Sequence, residues 1–391
     1  MSIRPPDSSA PSVTARPAWR RPALGVLCLL ANAPVAYKYA VRYGAPAWGA
    51  VAASLALIAL AVALGPRLDR RLTRSSRPLL AYGVVALALA VAFVAAMKRF
   101  DPHTIRVARW LAIESWLGRF ARGEYPYGSG ELPSSFPFLF FIAWPFRALG
   151  DTGYLQIASF ALFAVLCARA RPGAGRPALR ALLPLAVAPI FSYEVVTRSE
   201  LFSNMTLVIA LLAWLEHERS RPRGPLRRAA AGIAAGLLLC TRGIVALIYA
   251  LALTARFKRE IPRGIEFAAV CLASCAAVVL PFVVWDPARF LRAGPFAIQM
   301  SYIPGWLLGA AFLAAVALGL RARDSEDVFP ALAFLLFAVV GLLFATAVAS
   351  AGWRPILLGD RFDISYLAFA HTFAVYSLAR IGEGSPSAAG T

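Results

Sequence analysis

The stretch MKRFDPH (97–103) closes an apolar run of about twenty residues with two cations, an Asp, a Pro and one of only three His. An isolated carboxylate, Asp101, thus stands where a membrane helix would leave the bilayer, two residues before His103. Other groups capable of chemistry gather in a few connections. Glu194, Arg198 and Glu200 lie in SYEVVTRSE (192–200), and Arg242 lies at a tight break between two apolar runs. Asp286, Arg289 and Gln299 lie in 285–305, and Arg354, Asp360, Arg361 and Asp363 in 350–363. Acids, cations and aromatics mixed in this way are what an active site or binding cleft would present. Each residue also has a plainer use. Asp before Pro is a good helix N-cap, which serves Asp101 and Asp286 alike. Arg198, between two Glu, suits local ion pairing. Arg242 unpaired would cost about 2.5–3.5 kcal/mol at mid-bilayer, so it calls for an acid, with Asp101, Glu194 and Glu200 the candidates. An interfacial position accounts for His103, and a solvated loop accounts for 350–363.

The elements that would position these residues are helices in a membrane. The 391 residues are 60% hydrophobic and 15% charged, with a mean hydropathy of +0.66. A soluble chain of this length would be far more polar. Apolar runs separated by short Arg-rich stretches predict an all-α, polytopic transmembrane bundle. The net charge of +20 sits between apolar runs and not in a soluble basic domain, so positive-inside topology explains it better than nucleic-acid binding.

About twelve spans are expected: 23–38, 46–65, 78–97, 153–169, 179–192, 202–216, 228–241, 243–256, 264–285, 304–321, 329–349 and 363–380. The connections 65–78, 169–180, 216–228, 256–264 and 321–327 are basic or densely charged and fit the cytoplasmic face. The groups named above then share the opposite face. Segment 133–151 is apolar enough to span, but counting it would put four later basic connections outside. It reads instead as a re-entrant or interfacial helix. Residues 1–22 are expected to be a disordered basic tail, 23–380 one transmembrane domain with 98–152 as its long extracytoplasmic loop, and 381–391 a second disordered tail. GIAAG (232–236) supplies small residues four apart, suited to close helix packing. The five Cys lie in apolar runs without zinc spacing or a loop partner and read as small buried hydrophobes.

Within the long loop, HTIRVARWLAIESWLGRFA (103–121) places Trp110, Ile113, Trp116, Leu117 and Phe120 in one helical sector, so an amphipathic surface helix is expected. Arg109 falls inside that apolar sector, where it could snorkel to a lipid phosphate or point into a cleft. Tyr125 and Tyr127 follow in a Pro- and Gly-rich turn. They could stack on a sugar or anchor at the interface.

This layout is specific enough to compare. An acid at the head of the first large external loop is followed by a surface helix, GEYPY, LPSSFPFLFFIAWPFRALGD and GYLQ. The order resembles the GT-C superfamily of integral-membrane glycosyltransferases, and most closely the bacterial polyprenyl-phosphate-mannose-dependent mannosyltransferases. LLLCTRGIVALIY (237–249) and the DP…F…GPF…Q spacing (286–299) resemble later segments of those proteins. The likeness covers roughly 98–300. Two features depart from it: the acid follows the third span and not the first, and no second carboxylate adjoins Asp101.

The resemblance implies transfer of a sugar, mannose or another hexose or pentose, from a polyprenyl-phosphate donor to a lipid, glycan or protein acceptor outside a bacterial inner membrane. Asp101 would be the general base. Arg198, Arg242 and His103 would hold the donor phosphate. Glu200, Asp286, Gln299, Tyr125, Tyr127 and Arg361 would contact substrate. No cofactor is implied, and no ligand spacing supports a divalent metal. The rival readings are a polytopic transporter or a flippase of a lipid-linked or anionic substrate. A transporter would carry its charges at the midplane and show two related halves, whereas here charges crowd one face.

Overall fold

The computed structural model describes residues 19–104, 108–128, 133–170, 177–218, 224–300, 303–359 and 361–381. Most of both expected tails, and Asp360, lie outside the described residues. Every regular element among them is helical. Three long helices come first: α1 (Arg20–Arg42), α2 (Ala47–Thr73) and α3 (Pro78–Arg99). The long loop carries α4 (Ala108–Ala121) and α5 (Pro137–Ala148). Then follow α6 (Tyr154–Arg169), α7 (Leu179–Ala186), α8 (Pro189–Val196), α9 (Leu201–His217), α10 (Pro225–Leu239), α11 (Ile244–Phe257) and α12 (Ile261–Trp285). The short helices α13 (Pro287–Ala293) and α14 (Pro295–Met300) precede α15 (Gly305–Arg321), α16 (Ser325–Ala351), α17 (Trp353–Leu357) and α18 (Leu367–Arg380).

Each of the twelve apolar segments coincides with one of these helices, or in one case with the α7–α8 pair. By length and hydropathy five helices could cross a membrane: α1, α2, α3, α12 and α16. The α7–α8 pair, bent by 66°, would make six. Helices α5, α6, α9, α11 and α15 are apolar but shorter. Burial separates their environments. On α3, Leu79, Leu80, Val84, Leu87 and Val91 all face outward, as a lipid-facing helix requires. Helix α18 is buried from Leu367 to Ala379 and packs against α1, α7, α9 and α16.

The bend in the α7–α8 pair has a visible cause. Pro189 starts α8, so no helical hydrogen bond can run through that point. Asn32 of α1, fully buried, accepts from the Ile190 amide at 3.0 Å and donates to the Cys28 carbonyl at 2.8 Å. The freed backbone is thereby satisfied inside the bundle.

Ion pairs between distant segments form two groups, one at each end. At the Arg-rich end Arg180 pairs with Asp69 at 2.5 Å, Arg20 with Asp327 at 2.5 Å and Arg380 with Glu216 at 2.6 Å. At the opposite end Arg198 pairs with Asp151, Arg109 with Asp363 and Arg242 with Glu200. Segment 133–151 forms α5, twelve residues long and one of the shorter apolar helices. It begins against the end of α10, with the Phe136 and Phe138 amides donating to the carbonyls of Thr241 and Cys240.

Candidate functional site

The turn joining α8 to α9, Thr197–Glu200, organises the end opposite the Arg-rich one. Arg198 has φ of +54°, the only positive value at a non-glycine position among the described residues. Such a backbone costs about 1–2 kcal/mol and persists only when its surroundings hold it. Here they do. The Arg198 guanidinium donates to both Asp151 oxygens at 3.1 Å and to the carbonyls of Met97, Phe100 and Val196. It thus ties the end of α3, just before Asp101, to the start of α6. Glu194 Oε2 accepts from the Leu201 and Phe202 amides and caps α9.

Glu200, two residues after Arg198, is 3% exposed. Its Oε1 pairs with Arg242 from the α10–α11 break, accepts from Ser135 at 3.3 Å and lies 3.8 Å from Arg109 Nη1. Arg109, on the first turn of α4, also donates to Asp363 Oδ2 at 2.5 and 3.0 Å and to Ser199 at 3.4 Å. The Tyr366 ring lies 5.1 Å from the Arg109 guanidinium carbon and 6.0 Å from that of Arg242. Two cations and two acids from four separate parts of the chain therefore form one network. It is not saturated: Glu200 Oε2 and Arg242 Nε are buried without a hydrogen-bond partner, which is unusual for ionised groups.

Electrostatics keeps Glu200 charged. Burial pushes its carboxyl up, but Arg242 and then Arg109 outweigh it and hold it below the usual value.

The residues singled out in the sequence divide into several groups. Glu200 and Arg242 meet in the buried network, so the anionic partner of Arg242 is Glu200. Arg198 is committed to Asp151 and to backbone carbonyls, with little left to offer a ligand. Asp101 is exposed; its Oδ1 accepts from the His103 amide at 2.9 Å, closing a turn before α4. His103 is exposed and meets Trp110 edge to face at 4.8 Å. Asp101 therefore lies beside the Arg198 side of the turn, and no contact joins its carboxylate to Arg198 or Arg242.

Asp286 caps α13 through the Arg289 amide and pairs with Arg289 at 3.3 Å. Gln299 accepts from the Gly243 amide and donates to the Ser134 carbonyl, fastening the Arg242 break to the start of α5. Tyr125 and Tyr127 are buried, and their hydroxyls donate to the carbonyls of Phe282 and Ser135. Both sit in an aromatic cluster in which Trp116 stacks on Phe140 at 4.3 Å. In this structure they pack under α4 and are closed to a sugar face. Arg361 is exposed.

The sequence leaves Arg109 between a lipid phosphate and a cleft and Asp363 in a loop cluster, and gives no role to Tyr366. The signal for Arg109 was present: a cation inside the apolar sector of an amphipathic helix must find a partner or water. A cleft of about 300 Å³, lined by Leu212, Phe329, Arg256 and Lys258 among others, opens at the Arg-rich end, away from this network. Among the described residues no group of three or more His, Cys, Asp and Glu could hold a metal ion. Comparison with protein-family models, with curated proteins and with solved structures gives no match.

Proposed function

We propose that this chain is a GT-C-like glycosyltransferase of a bacterial inner membrane, taking a sugar from a polyprenyl-phosphate donor on the extracytoplasmic side. In this reading all twelve apolar segments cross the bilayer, with both termini in the cytoplasm. One observation carries the proposal. Arg109 of the loop helix and Arg242 of a helix break converge on Glu200, at the end away from the Arg-rich connections, with buried hydrogen-bonding capacity unspent.

A lipid phosphate leaving group gains negative charge as the bond from the anomeric carbon to the phosphate oxygen breaks. Guanidinium groups suit that charge because they donate in a planar fork. Arg109 and Arg242 would serve by exchanging part of their carboxylate contacts for the phosphate. The acceptor hydroxyl loses its proton as it attacks. Asp101 is the proposed base: it is exposed, and among the described residues no cation pairs with it and only one of its oxygens is engaged, by the His103 amide. Arg198 moves from proposed phosphate ligand to positioning residue, because it holds the backbone on which Asp101 stands.

The test incubates purified protein with a panel of radiolabelled polyprenyl-phosphate sugars and follows transfer or hydrolysis. Wild-type protein should turn over at least one donor. Asp101→Asn should lower the rate by roughly 100-fold or more with donor binding retained, and Arg109→Gln should weaken donor binding first. Absence of both turnover and binding across the panel would overturn the assignment, and normal turnover in Asp101→Asn would remove Asp101 as base.

A further inference from the structure

The packing of α10 on α12 brings two cysteines together in a way that their sequence positions do not suggest. Gly232 and Gly236 allow an unusually close approach: a Cβ at Gly236 would lie 2.2 Å from the Cys271 carbonyl oxygen, and one at Gly232 would lie 2.8 Å from Val270. The two helices run in the same direction, so the contact continues one turn further on. There Cys240, the residue closing α10, faces Cys275. Their sulfurs are 2.6 Å apart, and Cys240 Sγ is 3.2 Å from the Cys275 carbonyl oxygen. Both thiols are free in the structure, but non-bonded carbon atoms settle at about 3.5–4.0 Å and sulfur is larger than carbon, so two separate thiols are crowded here. Cys240 is buried and Cys275 is partly accessible.

The position of the pair gives it a consequence. The Cys240 carbonyl accepts from the Phe138 amide and that of Thr241 from the Phe136 amide. Arg242 comes next and pairs with Glu200. A covalent link at Cys240 would therefore pin the helix break that supplies Arg242, and with it the entry of α5.

We propose that Cys240 and Cys275 form a disulfide that fixes the end of α10 to α12. It would arise by thiol–disulfide exchange with a disulfide oxidant, of protein or small-molecule type. The thiolate of Cys275 attacks one sulfur of the oxidant and releases its partner as a thiol. The thiolate of Cys240 then attacks Cys275 in the mixed disulfide and releases the second thiol. Two protein thiols lose two protons and two electrons, and the oxidant takes them up. Such bonds persist on the oxidising side of a bacterial inner membrane, the side to which the proposed topology assigns the end of α10; Cys275 sits ten residues before the end of α12, so the oxidant reaches it through the partly accessible face of that helix. The inference does not depend on glycosyl transfer, because it is read without any donor.

The full chain is purified without reductant, quenched in acid, denatured, alkylated with N-ethylmaleimide and weighed intact. Of the five cysteines, only three should take the label, and all five should do so after prior reduction. Cys240→Ser should free Cys275, so that the remaining four label without reduction. Peptide mapping of wild-type protein should recover residues 240 and 275 in one cross-linked species. Five adducts on unreduced wild-type protein would overturn the proposal, as would a cross-linked species that joins another pair.

Discussion

Asp69–Arg180 and Glu200–Arg242 are both buried ion pairs, yet they are built differently. Asp69 and Arg180 stand at the Arg-rich end. Asp69 Oδ2 takes the Arg180 Nε, its Oδ1 takes the Leu179 amide, and Arg180 Nη1 reaches the Ile381 carbonyl. The pair clamps the end of α2 to the start of α7 and to Ile381, just past α18. Glu200 and Arg242 at the other end share their charge with Arg109 and Asp363, and each retains a buried polar atom without a partner. A closed pair has one good arrangement. An open network can exchange partners at smaller cost, which is what a site receiving an anion needs. The desolvation that makes both pairs expensive thus goes with a closed arrangement at one end and an open one at the other, and the proposed donor site uses the open one.

Removing one partner should have the largest effect. Asp69→Asn and Glu200→Gln should each destabilise by about 3–5 kcal/mol, read from unfolding in mixed micelles. Double-mutant cycles separate the two designs. Coupling between Asp69 and Arg180 should be unchanged by Arg109→Gln, whereas coupling between Glu200 and Arg242 should change. If both couplings ignore Arg109, the outer network is only another clamp.

A smaller effect is expected from Gly65→Ala. The new Cβ would lie 2.4 Å from the Arg180 Cα, so α7 must move away from α2, at about 1–3 kcal/mol. Donor affinity should be unaffected, since the disturbance is confined to the clamp. A matching loss of donor binding would show that the two ends are coupled through α7 and α8.

The smallest effect is the response to pH. Glu200 is held below its ordinary value. Its contribution to stability is present above about pH 4 and is lost as pH falls through the depressed folded value. Melting temperature should therefore stay level from pH 8 to about 5, as far as this group decides it, and fall only in stronger acid. Glu200→Gln should blunt that acid limb. A wild-type limb that the variant reproduces unchanged would assign the acid sensitivity to other carboxylates.

The helices were legible in the sequence because bilayer-length apolar runs leave the backbone few alternatives. The sorting of basic connections to one end was legible for a related reason, since Arg marks its own side. The roles of individual charges were less so. Arg242 needed an acid, and three were offered; packing of the α8–α9 turn against the α10–α11 break chose Glu200. Arg198 read as a ligand, but its left-handed backbone and its hold on Met97, Phe100 and Asp151 depend on how α3 meets α8, which no spacing reveals. Tyr125 and Tyr127 looked like surface aromatics until α4, α5 and α12 closed over them.

Hydropathy and charge order along the chain determined an all-helical, membrane-suited bundle with chemistry gathered at one end, because transfer free energies act residue by residue. Which groups touch was decided only in three dimensions. Residues as distant as Arg109 and Asp363, or Cys240 and Cys275, meet because helix faces and glycine contacts fix the packing, and pairwise contact energies depend on distances that a linear sequence does not contain.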